Sequence, residues 1–151
     1  MIVFLDPGNK ETAEELLQVQ IPAYRKEAER IKFDGIPYLH DTVKSIQSSK
    51  ESFIGFKEEQ TLVGVLAYEQ TDEDYVISRL FVDPEHFRKG IAKALLGFFM
   101  KEIVRNSKPV TVTSGTENAP AINFYEKSGF FKMKEVIVQE GVSLTMLKMS
   151  P

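Results

Sequence analysis

The spacing of apolar residues changes partway along this chain, and the change constrains the fold more than any other feature. In the first third, apolar residues such as Ala13, Leu16 and Ile21 recur at helical spacing. After Ser52 the period falls to two, and apolar runs alternate with turn signals as far as Val82. The second pattern predicts a three-strand antiparallel meander that follows a helical segment.

Turn and capping signals place further elements on either side of the meander. The predicted elements are a strand at 2–5, a helix capped by Asn9 or Thr12 that Pro22 interrupts, helices at 23–31 and 42–48, meander strands starting near Phe53 and at 62–69 and 75–82, a helix at 90–106, a strand at 109–113, a helix at 118–128, and a hairpin of 130–139 and 142–149 around Glu140-Gly141. Helix 90–106 is apolar on more than one face, which favours burial against a sheet. We therefore expect an α/β domain in which helices flank both faces of a mixed, mostly antiparallel central sheet.

Length and composition limit the classes of protein that fit. A chain of 151 residues with 42% hydrophobic and 27% charged residues is most simply one globular domain, 1–151. Its 19 Lys+Arg and 22 Asp+Glu give a net charge of -3, so no overall field attracts nucleic acid or an anionic membrane. Any anion that the protein binds must therefore be held locally.

Residue types that are missing exclude other chemistry. The chain has no cysteine, which removes disulfides, thiolate nucleophiles and thiolate zinc sites. Its two histidines, His40 and His86, lie far apart without an H-E-x-x-H context, so we expect no metal site. The start, MIVFLDPGNK, lacks a signal-peptide pattern, and no apolar run approaches the ~18 residues of a membrane span. We expect a cytoplasmic protein without a membrane partner.

The start of helix 90–106 carries an unusual local signal. The run FRKGIAKALL places Arg88, Lys89 and Gly90 where a helix usually begins with an acid or a hydroxyl. The first N–H groups of a helix are unpaired and carry partial positive charge, so they can hold a phosphate. Alternatively, Gly90 only permits a tight turn and the two cations are solvated. Neither G-x-G-x-x-G nor the P-loop pattern is present.

A third pattern fits in two separate segments, in the right order and spacing. It consists of Leu80-x-Val82-x-Pro84 followed by Arg88-Lys89-Gly90-Ile91-Ala92 and Leu95-Leu96, and then of Glu117-Asn118-x-x-Ala121-Ile122-x-Phe124-Tyr125-x-x-x-Gly129-Phe130. Together with the order of predicted elements, these segments resemble the GNAT superfamily of N-acetyltransferases. Two departures occur: Phe87 stands where the family usually has Gln or Arg, and Ala92 stands where many members have glycine.

The resemblance implies a site for acetyl-CoA as cosubstrate. The pyrophosphate would lie on the backbone amides of Arg88, Lys89, Gly90, Ile91 and Ala92, with Lys93 adding positive charge. The pantetheine arm would pair with the backbone of Leu80, Phe81 and Val82, where the fourth and fifth strands splay apart. Because the chain is acidic overall and CoA carries several negative charges, these donors must be concentrated at one place.

Two residues of the second segment have both a structural and a functional interpretation. By periodicity alone Tyr125 is a core residue; in the family, a tyrosine at this position hydrogen-bonds or protonates the departing CoA sulfur. A phenol with a pKa of about 10 can donate to a thiolate as charge develops, without fully protonating it. Asn118 is either a helix cap or a contact to the pantetheine arm, and it can be both.

The residue that removes a proton from the acceptor amine is not fixed by the pattern. Many relatives carry a glutamate on the strand before the pyrophosphate loop, whereas 75–78 contain none. The candidates are Glu69, Glu27, His40 or an ordered water. Arg79 lies inside an apolar strand, where it could face solvent, pair with Glu69, or meet an acidic group of the substrate.

The choice of acceptor in this family resides largely between the first strand and the meander. Here that segment is 21–42, and its polar or aromatic members are Tyr24, Arg25, Glu27, Arg30, Asp34, Tyr38 and His40. We expect an enzyme that transfers acetyl directly to a primary amine of a small molecule or peptide, with Tyr125 as the catalytic residue. Homodimerisation is left open. The competing hypothesis is a CoA-binding sensor or interaction module that has lost catalysis, and a nucleic-acid-binding function is disfavoured by the acidic charge balance.

Overall fold

A computed structural model describes residues 1–33, 35–139 and 141–150. Short helical turns of other types occur at Pro37–His40, Pro84–His86 and Phe99–Ile103. The main elements are β1 (Ile2–Leu5), α1 (Lys10–Ile31), α2 (Val43–Gln47), β2 (Ser52–Glu58), β3 (Thr61–Gln70), β4 (Tyr75–Val82), α3 (Ile91–Phe98), β5 (Val110–Gly115), α4 (Ala119–Lys127), β6 (Phe131–Gln139) and β7 (Val142–Met149).

The strands form one seven-stranded sheet in the order β1-β2-β3-β4-β5-β7-β6. All neighbours are antiparallel except β4 and β5, so the predicted mixed and mostly antiparallel sheet is confirmed. The β4–β5 pairing covers only three residue pairs, which end at Ile77 and Val112. Beyond that point β5 continues alongside β7 as far as Gly115, while β4 runs on without β5. The predicted splay of the fourth and fifth strands is thus present.

Two separate apolar cores cover the two faces of the sheet, as the prediction of helices on both faces requires. One core packs α1 and α2 against the face that carries Phe53, Val65 and Phe81. The other packs α3 and α4 against the opposite face, around Leu66 and Leu147. Buried positions of α1 recur at helical spacing, so the amphipathic pattern of the sequence decides which face of the helix meets the sheet.

Strand β4 contains one residue that has no partner on β3. Ala67 and Tyr68, adjacent on β3, pair with Arg79 and Ile77, so Ser78 is an extra residue and forms a β-bulge. Side chains alternate along a strand, and the extra residue shifts that alternation by one. Beyond the bulge, Arg79 therefore faces α1, on the side opposite to Ile77.

Two helix boundaries differ from the predicted ones. Pro22 does not interrupt the first helix, because α1 runs continuously from Lys10 to Ile31 and buried residues lie on both sides of the proline. Packing of that continuous stripe outweighs the hydrogen bond that proline removes. The helix predicted at 90–106 is shorter, since α3 ends at Phe98 and a π-helical turn closes at Ile103. The predicted turn residue Glu140 lies outside the described residues.

The first turn of α3 lies directly on β3 because Gly64 has no side chain. A Cβ placed on Gly64 would lie 2.7 Å from Ile91 Cγ2 and 3.3 Å from Leu95 Cδ1. Such a distance is too short for two carbon atoms, so any side chain at this position displaces the start of the helix. Gly64 therefore sets the height of the α3 N-terminus above the sheet.

We expect Gly64→Ala to destabilise the fold by about 1–3 kcal/mol, because it overpacks the contact with Ile91. The matched control is Gly97→Ala within α3, where an added Cβ meets nothing within 4 Å. That variant is expected to be neutral or to gain up to about 1 kcal/mol through helix propensity. Urea unfolding of both variants measures the difference, and equal free energies of unfolding would contradict this role of Gly64.

Candidate functional site

The parting of β4 and β5 leaves backbone groups of β4 facing an open gap. Asp83 N donates to Val63 O on β3. Because amides alternate along a strand, the N–H groups of Leu80 and Val82 point to the opposite side, where β5 has already diverged. The gap therefore presents strand-like hydrogen-bonding groups at two of the three residues predicted for the pantetheine arm.

The loop between β4 and α3 contains two residues with a left-handed backbone conformation. Arg88 has φ 67° and Gly90 has φ 78°, so both occupy the left-handed region. No side chain caps the first turn of α3, which begins at Ile91. Its N–H groups consequently keep their capacity to bind an anion, and Gly90 has open space where a Cβ would lie.

A cleft of about 740 Å³ runs from this loop to the gap. Most of the charged residues that line the cleft are basic. Arg88, Gly90, Ile91, Ala92 and Lys93 line it, as the sequence predicts. The cations that the sequence analysis did not single out for this cleft are Lys26 and Arg30 on α1 and Lys127 on α4, and the ring of His86 before the loop also lines it. Concentrated positive charge of this kind suits a ligand with several phosphates.

Lys89 takes a different direction from its neighbours. Its Nζ lies 3.6 Å from Glu58 Oε1 and 3.2 Å from His86 Nδ1, and its side chain is not part of the cleft wall. The backbone of Lys89 still belongs to the loop. What stays predicted for this residue is therefore a contact through its amide rather than through its ammonium group.

A second cavity, of about 320 Å³, opens on the other side of the gap. It lies between the C-terminal part of α1, the segment around Tyr38, and the diverging ends of β4 and β5. The cavity and the cleft meet at five shared residues. These are Tyr24, Glu27, Leu80, Ala121 and Tyr125.

Tyr125 lies on α4 at this junction and is 6% exposed. Its ring packs edge-on against Phe124 and Phe130, with centroid distances of 5.3 and 5.5 Å. Burial, and to a lesser extent the charge of Glu27, raises the pKa of Tyr125 well above its usual value. The phenol therefore stays protonated at working pH, and it acts more readily as a hydrogen-bond donor than as a proton source.

Asn118 and Glu27 form a link between α4 and α1 at the edge of the gap. Asn118 Oδ1 caps α4 by accepting from Ala121 N, and Asn118 Nδ2 donates to Glu27 Oε1 at 3.0 Å. Burial raises the pKa of Glu27, while the Asn118 hydrogen bond and the charge of Arg30 oppose that rise. The prediction that Asn118 is a helix cap is confirmed. Its side chain also orients the carboxylate of Glu27, which lines both cavities.

Two of the three settings considered for Arg79 from the sequence are wrong, because it neither faces solvent nor pairs with Glu69, and a contact with an acidic group of the substrate stays a prediction. It is 5% exposed and forms ion pairs of 2.7 Å with Asp41 and with Glu51. Its guanidinium carbon lies 4.3 Å from the centre of the Tyr38 ring. The partners flank α2, a short segment whose position over β4 is a long-range packing outcome that no local pattern indicates. Arg79 therefore forms buried ion pairs within the lining of the smaller cavity.

The other residues considered for the acceptor side divide clearly by position. Glu69 and His40 are exposed and line neither cavity, whereas Glu27 lines both. From the segment 21–42, Tyr24 and Tyr38 line the smaller cavity, Arg30 lines the cleft, and Arg25 is exposed. Asp34 lies outside the described residues.

The described residues contain neither a metal-binding cluster nor a helix that could span a membrane. In 1–33, 35–139 and 141–150, no group of three or more His, Asp or Glu side chains is arranged to hold a metal ion. Within the same ranges, no helix combines the length and the apolarity needed to cross a bilayer.

These features define an α/β protein in which a parted strand pair separates a basic cleft from a small apolar cavity. The family described as "Acetyltransferase (GNAT) domain" matches residues 20–151. The chain belongs to this family. The residues quoted for the resemblance all lie within the matched range.

Individual proteins are similar to this chain in sequence or in fold. The UPF0157 protein YqkA of Bacillus subtilis (strain 168) is 41% identical over 151 residues, which are 100% of this chain and 44% of that protein. The crystal structure of smu.2055 from Streptococcus mutans UA159 has a TM-score of 0.82 at 19% identity and covers 99% of this chain and 98% of its own. PaiA N-acetyltransferase from Thermoplasma acidophilum, crystallised with coenzyme A, has a TM-score of 0.69 at 20% identity, and the match covers 100% of this chain and 99% of that one. The chain spans less than half the length of the Bacillus relative.

Proposed function

We propose that residues 1–151 form one acetyltransferase domain, which transfers acetyl from acetyl-CoA directly to a primary amine. The observation that carries the proposal is the junction of two cavities of opposite character at Tyr125 and Glu27. A basic cleft with a free helix N-terminus suits a polyphosphate ligand, and a small cavity beside a carboxylate suits an amine. Coenzyme A in the Thermoplasma structure supports the choice of cosubstrate.

The donor set of the cleft fits acetyl-CoA. The amides at the start of α3, together with Arg88 and Lys93, would bind the pyrophosphate, and the backbone of Leu80 to Val82 would hold the pantetheine arm. The bound thioester supplies the activated acetyl group. An N–H of β4 in the gap can stabilise the oxyanion that forms when an amine attacks.

Tyr125 would donate a hydrogen bond to the sulfur as the carbon–sulfur bond breaks. Its place at the junction supports this role, because the phenol is buried and lines both cavities. Without cysteine, no thiolate is present to form an acyl-enzyme, so the acetyl group would pass in one displacement. The amine nitrogen has to approach from the smaller cavity.

Calorimetric titration of the full chain with acetyl-CoA tests the binding part of this proposal. We expect saturable binding that weakens with added salt, because phosphate contacts are screened. The double variant Arg88→Gln, Lys93→Gln is expected to bind at least about tenfold more weakly, which corresponds to ~1.4 kcal/mol. The control is Lys101→Gln, an exposed cation outside the cleft.

An absence of uptake at millimolar acetyl-CoA would contradict the proposal. A thiol-release assay with a panel of amines then tests catalysis. Tight binding of acetyl-CoA with no thiol release by any amine would instead favour the sensor hypothesis.

A further inference from the structure

The smaller cavity has mostly apolar walls, and its polar or charged lining residues are Glu27, Ser78, Arg79, Thr113 and Ser114. Aliphatic and aromatic side chains come from α1, from the segment after it, and from the ends of four strands. The apolar lining residues are Tyr24, Ile31, Phe33, Ile36, Pro37, Tyr38, Ile77, Leu80, Val112, Ala121, Tyr125, Val138 and Leu144. At about 320 Å³ the cavity is at the small end of the range for ligand sites.

Among the described lining residues only Glu27 and Arg79 carry a formal charge. Arg79 already has anionic partners, since its Nε and Nη2 donate to Glu51 and its Nη1 donates to Asp41. An acidic group of a ligand would therefore compete with two carboxylates for this guanidinium.

Glu27 is in the opposite situation. In the described part of the chain, its one recorded side-chain donor is Asn118 Nδ2, which contacts Oε1. A carboxylate can accept about four hydrogen bonds, so Glu27 retains capacity toward the cavity. Burial raises its pKa, which means that the charged form lacks the solvation it has in water. A cation that enters the cavity would compensate this loss.

Resting on the function proposed above, we infer that the acceptor is a compact amine with one positive charge on an apolar body, and that Glu27 binds its ammonium group and takes its proton. The apolar walls hold the body of the molecule. The Glu27 carboxylate, the one acidic side chain among the described residues that line this cavity, orients the amine toward the junction, where Leu80 and Tyr125 mark the position of the thioester.

The proton balance of this step is complete. Glu27 takes one proton from the ammonium group, and the neutral nitrogen attacks the thioester carbonyl. The carbon–nitrogen bond replaces the carbon–sulfur bond, and a second proton leaves the nitrogen. One proton ends on the thiol of coenzyme A, and the other passes from Glu27 to solvent.

Matched amines test the inferred acceptor class. We expect kcat/KM for phenethylamine or 3-methylbutylamine to exceed that for phenylalanine and for spermidine by at least about tenfold. Phenylalanine adds a carboxylate that Glu27 repels, and spermidine brings additional cations into an apolar cavity. Faster acetylation of spermidine or of phenylalanine would overturn the inference, as would failure of both apolar amines.

The role of Glu27 is tested by Glu27→Gln, which keeps an oxygen for Asn118 but cannot take a proton. We expect kcat/KM for phenethylamine to fall at least about 100-fold, in the range for loss of a general base. At saturating acetyl-CoA, the wild-type rate should rise with pH through the pKa of Glu27, above the ordinary value of 4.5, and the variant should lack that rise. Glu29→Gln, an exposed position on the same helix, is the control.

Charged and titratable groups surround Glu27 on several elements. Tyr24 and Arg30 lie on its own helix, and burial raises the pKa of Tyr24. Tyr125 faces it from α4, and Tyr38 and Arg79 stand across the cavity. Burial raises the pKa values of Tyr125 and Tyr38 above their ordinary values. Burial alone would lower the pKa of Arg79, but its interactions with Glu51 and Asp41 outweigh burial and raise that pKa.

Thermal stability gives an independent measurement on the same variant. A carboxylate whose pKa is raised by folding contributes stability at pH values below its unfolded-state pKa. This contribution is lost as the pH rises through the pKa of the folded state. Glu27→Gln should therefore have a higher Tm than the wild type at pH 8 while being less active. A lower Tm together with an unchanged pH profile would overturn the role of Glu27.

The two proposals fail in distinguishable ways. Loss of acetyl-CoA binding by the wild-type chain contradicts the proposed function itself. Normal binding of acetyl-CoA, combined with acetylation of polycationic amines only, leaves the function standing and rejects the inferred acceptor class.

Discussion

Arg79→Met is expected to destabilise the protein by about 3–5 kcal/mol, the range for removing one partner of a buried ion pair. The substitution leaves Asp41 and Glu51 without their cation, although their side chains are only 14% and 12% exposed. Methionine fills much of the volume between Tyr38 and Phe53, so the loss reflects charge rather than a cavity. Urea unfolding monitored by circular dichroism measures the change.

Two controls separate the ion pair from general effects of substitution. Arg25→Met, at an exposed position of α1, should stay within about 0.5 kcal/mol of the wild type. Combining Arg79→Met with Asp41→Asn and Glu51→Gln should recover more than half of the loss, because a neutral set has no stranded charge. A full loss in the triple variant would show that packing, not charge, is responsible.

The same ion pair has a defined pH dependence. Burial alone would raise the pKa of Glu51, but hydrogen bonds from Arg79 and Ser78 outweigh it and hold the pKa below 4.5. A carboxylate whose pKa is lower in the folded state than in the unfolded state contributes stability at pH values above its unfolded-state pKa. This stability is lost as the pH falls through the pKa of the folded state. The wild type should therefore lose stability in acid more steeply than Arg79→Met does.

Tyr125→Phe is expected to lower kcat by about 100-fold, at the lower end of the range for loss of an acid catalyst. The raised pKa of Tyr125 favours hydrogen-bond donation over full proton transfer, which is why the lower end applies. The affinity for acetyl-CoA should change less than about threefold, since one hydroxyl is removed at the sulfur end of the cleft. Stopped-flow thiol release and calorimetry measure the two quantities separately.

The matched control is Tyr68→Phe, which removes a phenol from the same apolar core but lines neither cavity. Its turnover should equal that of the wild type. Unchanged turnover in Tyr125→Phe would remove this residue from the mechanism, and a parallel loss of acetyl-CoA binding would reassign it to the binding site.

Features that depend on a few consecutive residues could be predicted from the sequence. The left-handed Gly90 and the uncapped start of α3, where we propose that phosphate binds, both depend on residues that are neighbours in the sequence. The cap at Asn118 is local in the same sense. Alternation and turn signals similarly predicted the order of strands, and the structure confirms the mixed sheet with its splay.

Features that depend on distant segments could not be predicted. Arg79 finds its partners 38 and 28 residues away, and their approach is decided by how α2 packs over the sheet. The selection of Glu27 from several candidate bases likewise requires the relative placement of α1 and α4, 91 residues apart at their hydrogen bond. The continuity of α1 through Pro22 required knowledge of the sheet that buries both halves of the helix.

The single unpaired residue in β4 lets Ile77 and Arg79, two positions apart in the sequence, lie on opposite sides of the sheet. The same offset turns Arg79 toward Asp41, and the side chain of the bulged Ser78 hydrogen-bonds Glu51. If Ser78 took a regular place in the ladder, every residue after it would face the other side of the sheet, and a guanidinium would enter the α3 core. The pairing of one serine therefore controls, at the same time, the buried ion pair on one side of β4 and the direction of the gap amides at its end.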